Sequence, residues 1–309
     1  MIKLEPYTAE FEEEYWNTVS NFIKPHTQAA IMESCRRFLP GFFPEDMKNP
    51  FRELVLLPYS RLKEAHALLK NTHDSPNAAE MRRECFYMRR SKKQRRAKYN
   101  KLYQAYKDIA DSRKDGVSMR VRIVKNSGLT VCPYCNRDYI NCREQHQSGA
   151  QLDHFFSRSS YPIFSVCLYN LIPVCGNCNR LKSSKNAPFA SPFDDEIDWE
   201  DITFSYEMDS IDSVRIIITS HGPVKTNISG MHIQEAYQIH DTDVKELLEQ
   251  QRIYSRTQQE ELKNVLHHQI SDKEIKQAIF GPPITAKMMR QKSLGKMMSD
   301  LHKQLGIYP

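Results

Sequence analysis

Over most of the first 125 residues, apolar side chains recur three and four positions apart, the spacing that gathers them on one face of an α-helix. Ala30–Phe38 and Arg61–Leu69 carry this period, and Ala79–Ile109 extends it through a long run nearly free of helix breakers. Pro40, Pro44, Pro50 and Pro58 interrupt the pattern and predict an irregular segment between helices. Near residue 126 the texture changes. Short apolar stretches are broken by Gly128, Pro133, Gly149, Pro162, Pro173 and Gly176, with Cys, His and Asn gathered between them. That arrangement predicts a small unit organised around a site rather than around a large core. Further on, Ile202–Met208 and Val214–Thr219 read as two strands of a hairpin around Asp209-Ser-Ile-Asp-Ser. Helical spacing returns from 231 to about 279, where Ser271-Asp-Lys-Glu274 has the spacing of a capping box. After Gly281-Pro-Pro, a last basic, Met-rich helix is expected over 285–305. The expected class is α+β, helix-dominated, in three parts: a basic helical region (1–125), a site-bearing unit (126–195), and a hairpin followed by helices (196–309).

Charge adds a surface to this outline. The formal net charge is only +6, but ten Lys or Arg and a single acid, Glu84, lie between Arg82 and Lys101. Arg89, Arg90, Lys92, Lys93, Arg95 and Arg96 are therefore candidate contacts to a polyanion. Tyr87, Tyr99, Tyr103 and Tyr106 are interleaved with the basic residues, a mixture that suits nucleic acid because arginine grips phosphate and aromatic rings stack on bases. A solvated helix face with its tyrosines turned inward explains the same pattern. No apolar run is long enough to span a bilayer, and Met1-Ile-Lys-Leu-Glu-Pro lacks the apolar stretch of a secretory signal. A cytoplasmic location with no membrane partner is the resulting expectation.

Of the eight cysteines, four form the pairs Cys132-Pro-Tyr-Cys135 and Cys175-Gly-Asn-Cys178. A C-x-x-C turn presents two thiolates to one tetrahedral ion, and two such turns complete the shell of a structural Zn²⁺. The 39 residues between the pairs exceed a minimal zinc ribbon, so the clip is expected to staple the two ends of something. Gly176 is expected to take a positive φ that turns backbone N–H groups toward the sulfurs. Redox chemistry is a competing reading for one such pair, and a zinc-bound binding module for both. Four thiolates leave that ion no open position for catalysis. Cys142 and Cys167 read as small buried hydrophobes.

Inside the staple lie Leu152-Asp153-His154-Phe155-Phe156, then Asn170-Leu-Ile-Pro-Val, then Cys175-Gly-Asn-Cys178-Asn179-Arg-Leu-Lys182. This ordered series resembles the HNH endonucleases, or ββα-metal nucleases, in their zinc-bearing form, across about 60 residues. Asn179 stands where the family's last His often stands, so the variant is H-N-N. The resemblance implies that His154 is the general base and that Asp153 and Asn179 hold a catalytic Mg²⁺ or Mn²⁺. It also implies that Asn170 fixes the loop and orients the base, and that Lys182, Arg180 or Lys185 contacts phosphate. Successive residues of a strand point to opposite faces, so Asp153 and His154 can serve opposite sides of a scissile phosphate.

The expected activity is metal-dependent hydrolysis of nucleic-acid phosphodiesters, with DNA favoured over RNA. The segment Ser159-Ser-Tyr-Pro-Ile-Phe-Ser-Val with Tyr169-Asn-Leu-Ile-Pro-Val-Cys resembles, more loosely, the HNH component of Septu-type, retron-linked antiphage systems. That likeness implies an ATPase partner and a role in defence. Two other classes stay open: a zinc-dependent nucleic-acid-binding module without catalysis, and a scaffold for an ATPase. The oligomeric state is not legible.

Overall fold

The computed structural model describes residues 1–72, 100–182, 187–210, 213–266 and 270–308. Helix dominates, with three small two-stranded antiparallel sheets among the described residues. The N-terminal helices α1 (Ala9–Phe22), α2 (Pro25–Phe38), α3 (Pro50–Val55) and α4 (Tyr59–Thr72) precede α5 (Asn100–Asp111). On α1, Phe11, Tyr15, Trp16 and Val19 are buried, the single face that helical spacing demands. The proline-rich segment holds more structure than its prolines predict. Asn49 caps α3 by accepting from the Arg52 N–H, and Pro50 takes the first helical position, where a missing N–H costs nothing.

A short hairpin, β1 (Arg113–Lys114) and β2 (Val117–Ser118), turns at Asp115 and Gly116, both at positive φ. It leads into α6 (Met119–Asn126). β3 (Gln151–His154) then pairs antiparallel with β4 (Leu171–Val174), Asp153 opposite Ile172 and His154 opposite Leu171, and α7 (Gly176–Lys182) follows at once. The second hairpin, β5 (Ile202–Ser210) and β6 (Ser213–Ser220), lies where alternation predicts it. The remaining helices are α8 (Lys225–Gly230), α9 (Ile233–Tyr237), α10 (Asp241–Ile253), α11 (Arg256–Val265), α12 (Asp272–Phe280), α13 (Ala286–Met289) and α14 (Gly295–Gln304). The capping box at Ser271 and Glu274 forms in full at the start of α12.

The last helix expected over 285–305 is two helices. Leu294 between them adopts φ 59°, and its N–H donates to the Asn136 carbonyl. Docking on the first cysteine turn outweighs the helical propensity of the stretch. None of the described helices is long and apolar enough to cross a membrane.

Buried side chains from all three sequence regions join one cluster, running from Met1 to Ile307. The N-terminal helices form the bed of the segment that follows β3. The Tyr15 hydroxyl donates to the Val166 carbonyl, Cys167 donates from sulfur to the Leu54 carbonyl, and Tyr59 packs edge-on against Phe155. Cys167 is buried as expected, whereas Cys142 is only partly so.

His66 of α4 lies flat on Phe156 with ring centroids 4.0 Å apart. Burial there, aided by Lys70, lowers its pKa to about 4. The unfolded chain takes up that proton near pH 6.5, the folded chain only near 4. The stability His66 contributes is therefore complete above pH 6.5 and drains away as pH falls from there to 4. A series of thermal melts between pH 7 and 4 is expected to show a shallower decline for His66→Gln than for the wild type.

Candidate functional site

The two cysteine turns meet. The sulfurs of Cys132, Cys135, Cys175 and Cys178 all lie within 4.8 Å of one another and all four residues are buried. A tetrahedral ion with Zn–S bonds of about 2.3 Å needs sulfurs roughly 3.8 Å apart, so the cluster fits Zn²⁺. The thiols also perturb one another. Hydrogen bonds with Cys132, and then with the other two thiols, pull Cys135 well below the ordinary thiol range, while burial pushes Cys132 well above it. A buried group of this kind becomes a set of thiolates only around a cation.

The local chain explains the convergence. In the first turn the Asn136 N–H closes on the Cys132 carbonyl at 2.8 Å, and Asn136 itself takes φ 52°. The left-handed residue of the clip is therefore Asn136, a residue type that tolerates that region. Gly176 is not among the positive-φ glycines, contrary to expectation. It is the first residue of α7, and a Cβ there would lie 3.3 Å from the Gln151 amide nitrogen, so close approach of β3 is what its small size serves. The Cys178 N–H points at the Cys175 sulfur at 3.4 Å. The C-terminal region closes over the first turn. Asn136 donates to the Met289 carbonyl and accepts from the Lys296 N–H, and Tyr237 donates to the Cys135 carbonyl.

Both turns reach Asp153. Tyr134, inside the first, donates its hydroxyl to Asp153 Oδ2 at 2.7 Å. Burial, reinforced by the Asp153 charge, raises the Tyr134 pKa well above its usual value, which keeps the phenol a donor. Lys182, four residues beyond Cys178 on α7, places its Nζ 3.0 Å from the same oxygen and donates to the Phe155 carbonyl at 2.9 Å. Lys182 is 4% exposed and Asp153 5%. Lys182, expected at a phosphate, is thus buried as the counter-ion of Asp153.

Asn179 sits one turn earlier on α7 and donates to Gln151 Oε1 at 2.7 Å. Gln151 and Asp153 share one face of β3 by strand alternation, and α7 covers that face with Asn179 and Lys182. The donor chemistry of Asp153 and Asn179, hard oxygens, suits Mg²⁺ or Mn²⁺. Both carboxylate oxygens of Asp153 accept a hydrogen bond here, so a divalent ion at Asp153 would share the carboxylate with Tyr134 and compete with the Lys182 ammonium for it.

His154 points to the other side of β3. Its Nε2 lies 3.0 Å from the Ser165 carbonyl. A carbonyl only accepts, so Nε2 carries the proton and Nδ1 keeps its lone pair. No other hydrogen bond holds the half-buried ring among the described residues. Tyr106 packs edge-on against it at 4.3 Å. Burial, and secondarily the charge of Arg158, lowers the His154 pKa to about 3 and keeps the ring neutral at physiological pH.

Asn170, fully buried, ties the two segments that flank this ring. Its Nδ2 donates to the Phe156 and Phe164 carbonyls at 3.1 and 3.0 Å, and its Oδ1 accepts from the Phe156 N–H at 2.8 Å. One segment leaves His154, and the other delivers the Ser165 carbonyl that receives it. Arg180 is exposed on α7 and bonded to Asn177. Lys185 and the basic run Arg89, Arg90, Lys92, Lys93, Arg95 and Arg96 lie outside the described residues.

Sequence reasoning missed Tyr134, Gln151, Ser165 and Arg158. Gln151 carried a signal, since it lies two positions before Asp153 and so on the same strand face. A bulky tyrosine in the middle of a cysteine turn was a second one.

The pairing of Lys182 with Asp153 has a measurable consequence. Lys182→Met strands a buried carboxylate with one phenol as partner, which is expected to cost about 3–5 kcal/mol of folding free energy. The double variant with Asp153→Asn should recover much of that loss in urea unfolding followed by circular dichroism.

No protein-family model, curated protein or solved structure matches this chain.

Proposed function

We propose that this chain is an HNH-type endonuclease that hydrolyses phosphodiester bonds of nucleic acid, DNA in preference to RNA. The observation that carries the reading is the joining of a four-cysteine clip to a strand–strand–helix unit that bears Asp153, His154, Asn170 and Asn179 in family order. Asp153 and His154 leave opposite faces of one strand, as suits a metal ligand and a base that serve two sides of a phosphate. His154 Nδ1 is the atom that takes the proton from the attacking water, and the Ser165 carbonyl fixes the tautomer that makes this possible. Asn170 holds the loop on which that geometry depends. A divalent ion held by Asp153 and Asn179 would supply charge neutralisation at phosphorus and at the departing 3′ oxygen. The clip ion is structural.

By its looser likeness, the chain would act as the effector nuclease of an antiphage system beside an ATPase, in the cytoplasm. The test of the activity is direct. Purified protein, alone and with any co-purifying ATPase, is incubated with supercoiled plasmid, linear duplex and total RNA in Mg²⁺ or Mn²⁺, with a chelator control. Metal-dependent nicking or degradation of at least one substrate is the expected result. Binding without cleavage in every condition would instead favour a zinc-dependent binding module, and no affinity for nucleic acid would favour a scaffold.

A further inference from the structure

Four residues beyond His154, in the turn that follows β3, Arg158 is held in an unusual setting. Its Cζ lies 4.6 Å from the ring centroid of Tyr103 and 4.9 Å from that of Tyr106. The two tyrosines are three residues apart on α5, so their rings stand side by side on one face of the helix. Tyr106 in turn touches His154 edge-on at 4.3 Å. The guanidinium, half-buried, thus lies over the faces of two tyrosines, one of which also touches the imidazole.

A guanidinium held over aromatic faces by cation–π attraction still has N–H donors to offer an acceptor. Among the described residues, no carboxylate and no hydrogen-bond acceptor pairs with Arg158. Comparable arginines elsewhere in the chain are spent on acids, Arg122 on Glu14 and Arg290 on Glu5. A planar fork of donors held rigid, next to a neutral histidine and without a counter-ion, has the chemistry of a receptor for a tetrahedral oxyanion.

We infer that Arg158 binds a backbone phosphate of the nucleic-acid substrate beside His154, with Tyr103 and Tyr106 as the platform that aims it. This rests on the endonuclease reading and adds a substrate-binding residue to it. Arg158 would grip two non-bridging oxygens of the phosphodiester, and its position is fixed before substrate arrives.

The test measures binding apart from cleavage. In a His154→Ala background, affinity for short labelled DNA and RNA is measured across a range of salt, with Arg158 kept, changed to Gln and changed to Lys. Arg158→Gln is expected to weaken binding about tenfold or more and to lower the salt slope by roughly 0.7–0.9, the value of one lost phosphate contact. Arg158→Lys keeps the charge but loses the fork and should recover only part of the affinity. It is also the variant to read should the Gln form fail to fold. Unchanged affinity and slope in Arg158→Gln, full recovery in Arg158→Lys, or no binding by the parent chain overturns the inference. Loss of binding in Arg158→Gln together with an absence of cleavage by the wild type would uphold the phosphate contact and remove the nuclease reading.

Discussion

Cys178→Ser is expected to give a chain that retains no stoichiometric zinc and has lost its cooperative thermal transition. Cys178 is buried among three other sulfurs, where a serine hydroxyl is a poor ligand for Zn²⁺. Structural zinc sites contribute on the order of 10–16 kcal/mol of apparent binding free energy, while a whole domain is stable by only about 5–15. Losing the site therefore removes stability of the same size as the total. The damage does not stay local. Ile2 bonds to Pro133 within the first turn, Asn136 anchors the chain on both sides of Leu294, and α7 begins between the second pair of cysteines. Cys142, only partly buried and outside the four-sulfur group, is the control, and Cys142→Ser should melt near the wild type. Metal content by mass spectrometry and a melt by circular dichroism check both. A Cys178→Ser protein that keeps its zinc and its transition would show that these sulfurs hold no structural ion.

Legibility in the sequence followed the range of the interaction. Helical spacing on α1, α2 and α4, the hairpin β5–β6 and the capping box at Ser271 are set within a few residues, and each was readable. The convergence of two distant cysteine pairs was readable as well, because one ion needs four ligands. The opposition of Asp153 and His154 followed from strand alternation. What holds Asp153 did not. Its partners Tyr134 and Lys182 lie 19 and 29 residues away, and nothing local distinguishes a lysine that will be buried against an acid from one that will face solvent. The break at Leu294 and the left-handed Asn136 belong to the same class, since the docking of the C-terminal segment on the first cysteine turn sets them together. Arg158 escaped notice because its meaning comes from two tyrosines more than 50 residues earlier.

The largest expected effect on activity comes from His154→Ala. Among the described residues the imidazole is bound to the fold by one hydrogen bond to a carbonyl and by an edge-on contact with Tyr106, so its removal should leave the fold and the four-sulfur cluster in place. It takes away the lone pair on Nδ1, which the contact of Nε2 with the Ser165 carbonyl leaves uncommitted. Losing a positioned general base costs about 10²–10⁴-fold in rate. The pKa of about 3 that burial imposes keeps the imidazole of the free chain unprotonated from neutral pH well into acid. Activity should therefore show no loss near pH 6.5 from protonation of this residue. The most direct measurement is the single-turnover cleavage rate of wild type and His154→Ala on one labelled substrate, at matched zinc content and matched melting temperature. A fall of about 10²–10⁴-fold is the predicted result. Equal rates in the two proteins would contradict the assignment of His154 and, with it, the proposed chemistry.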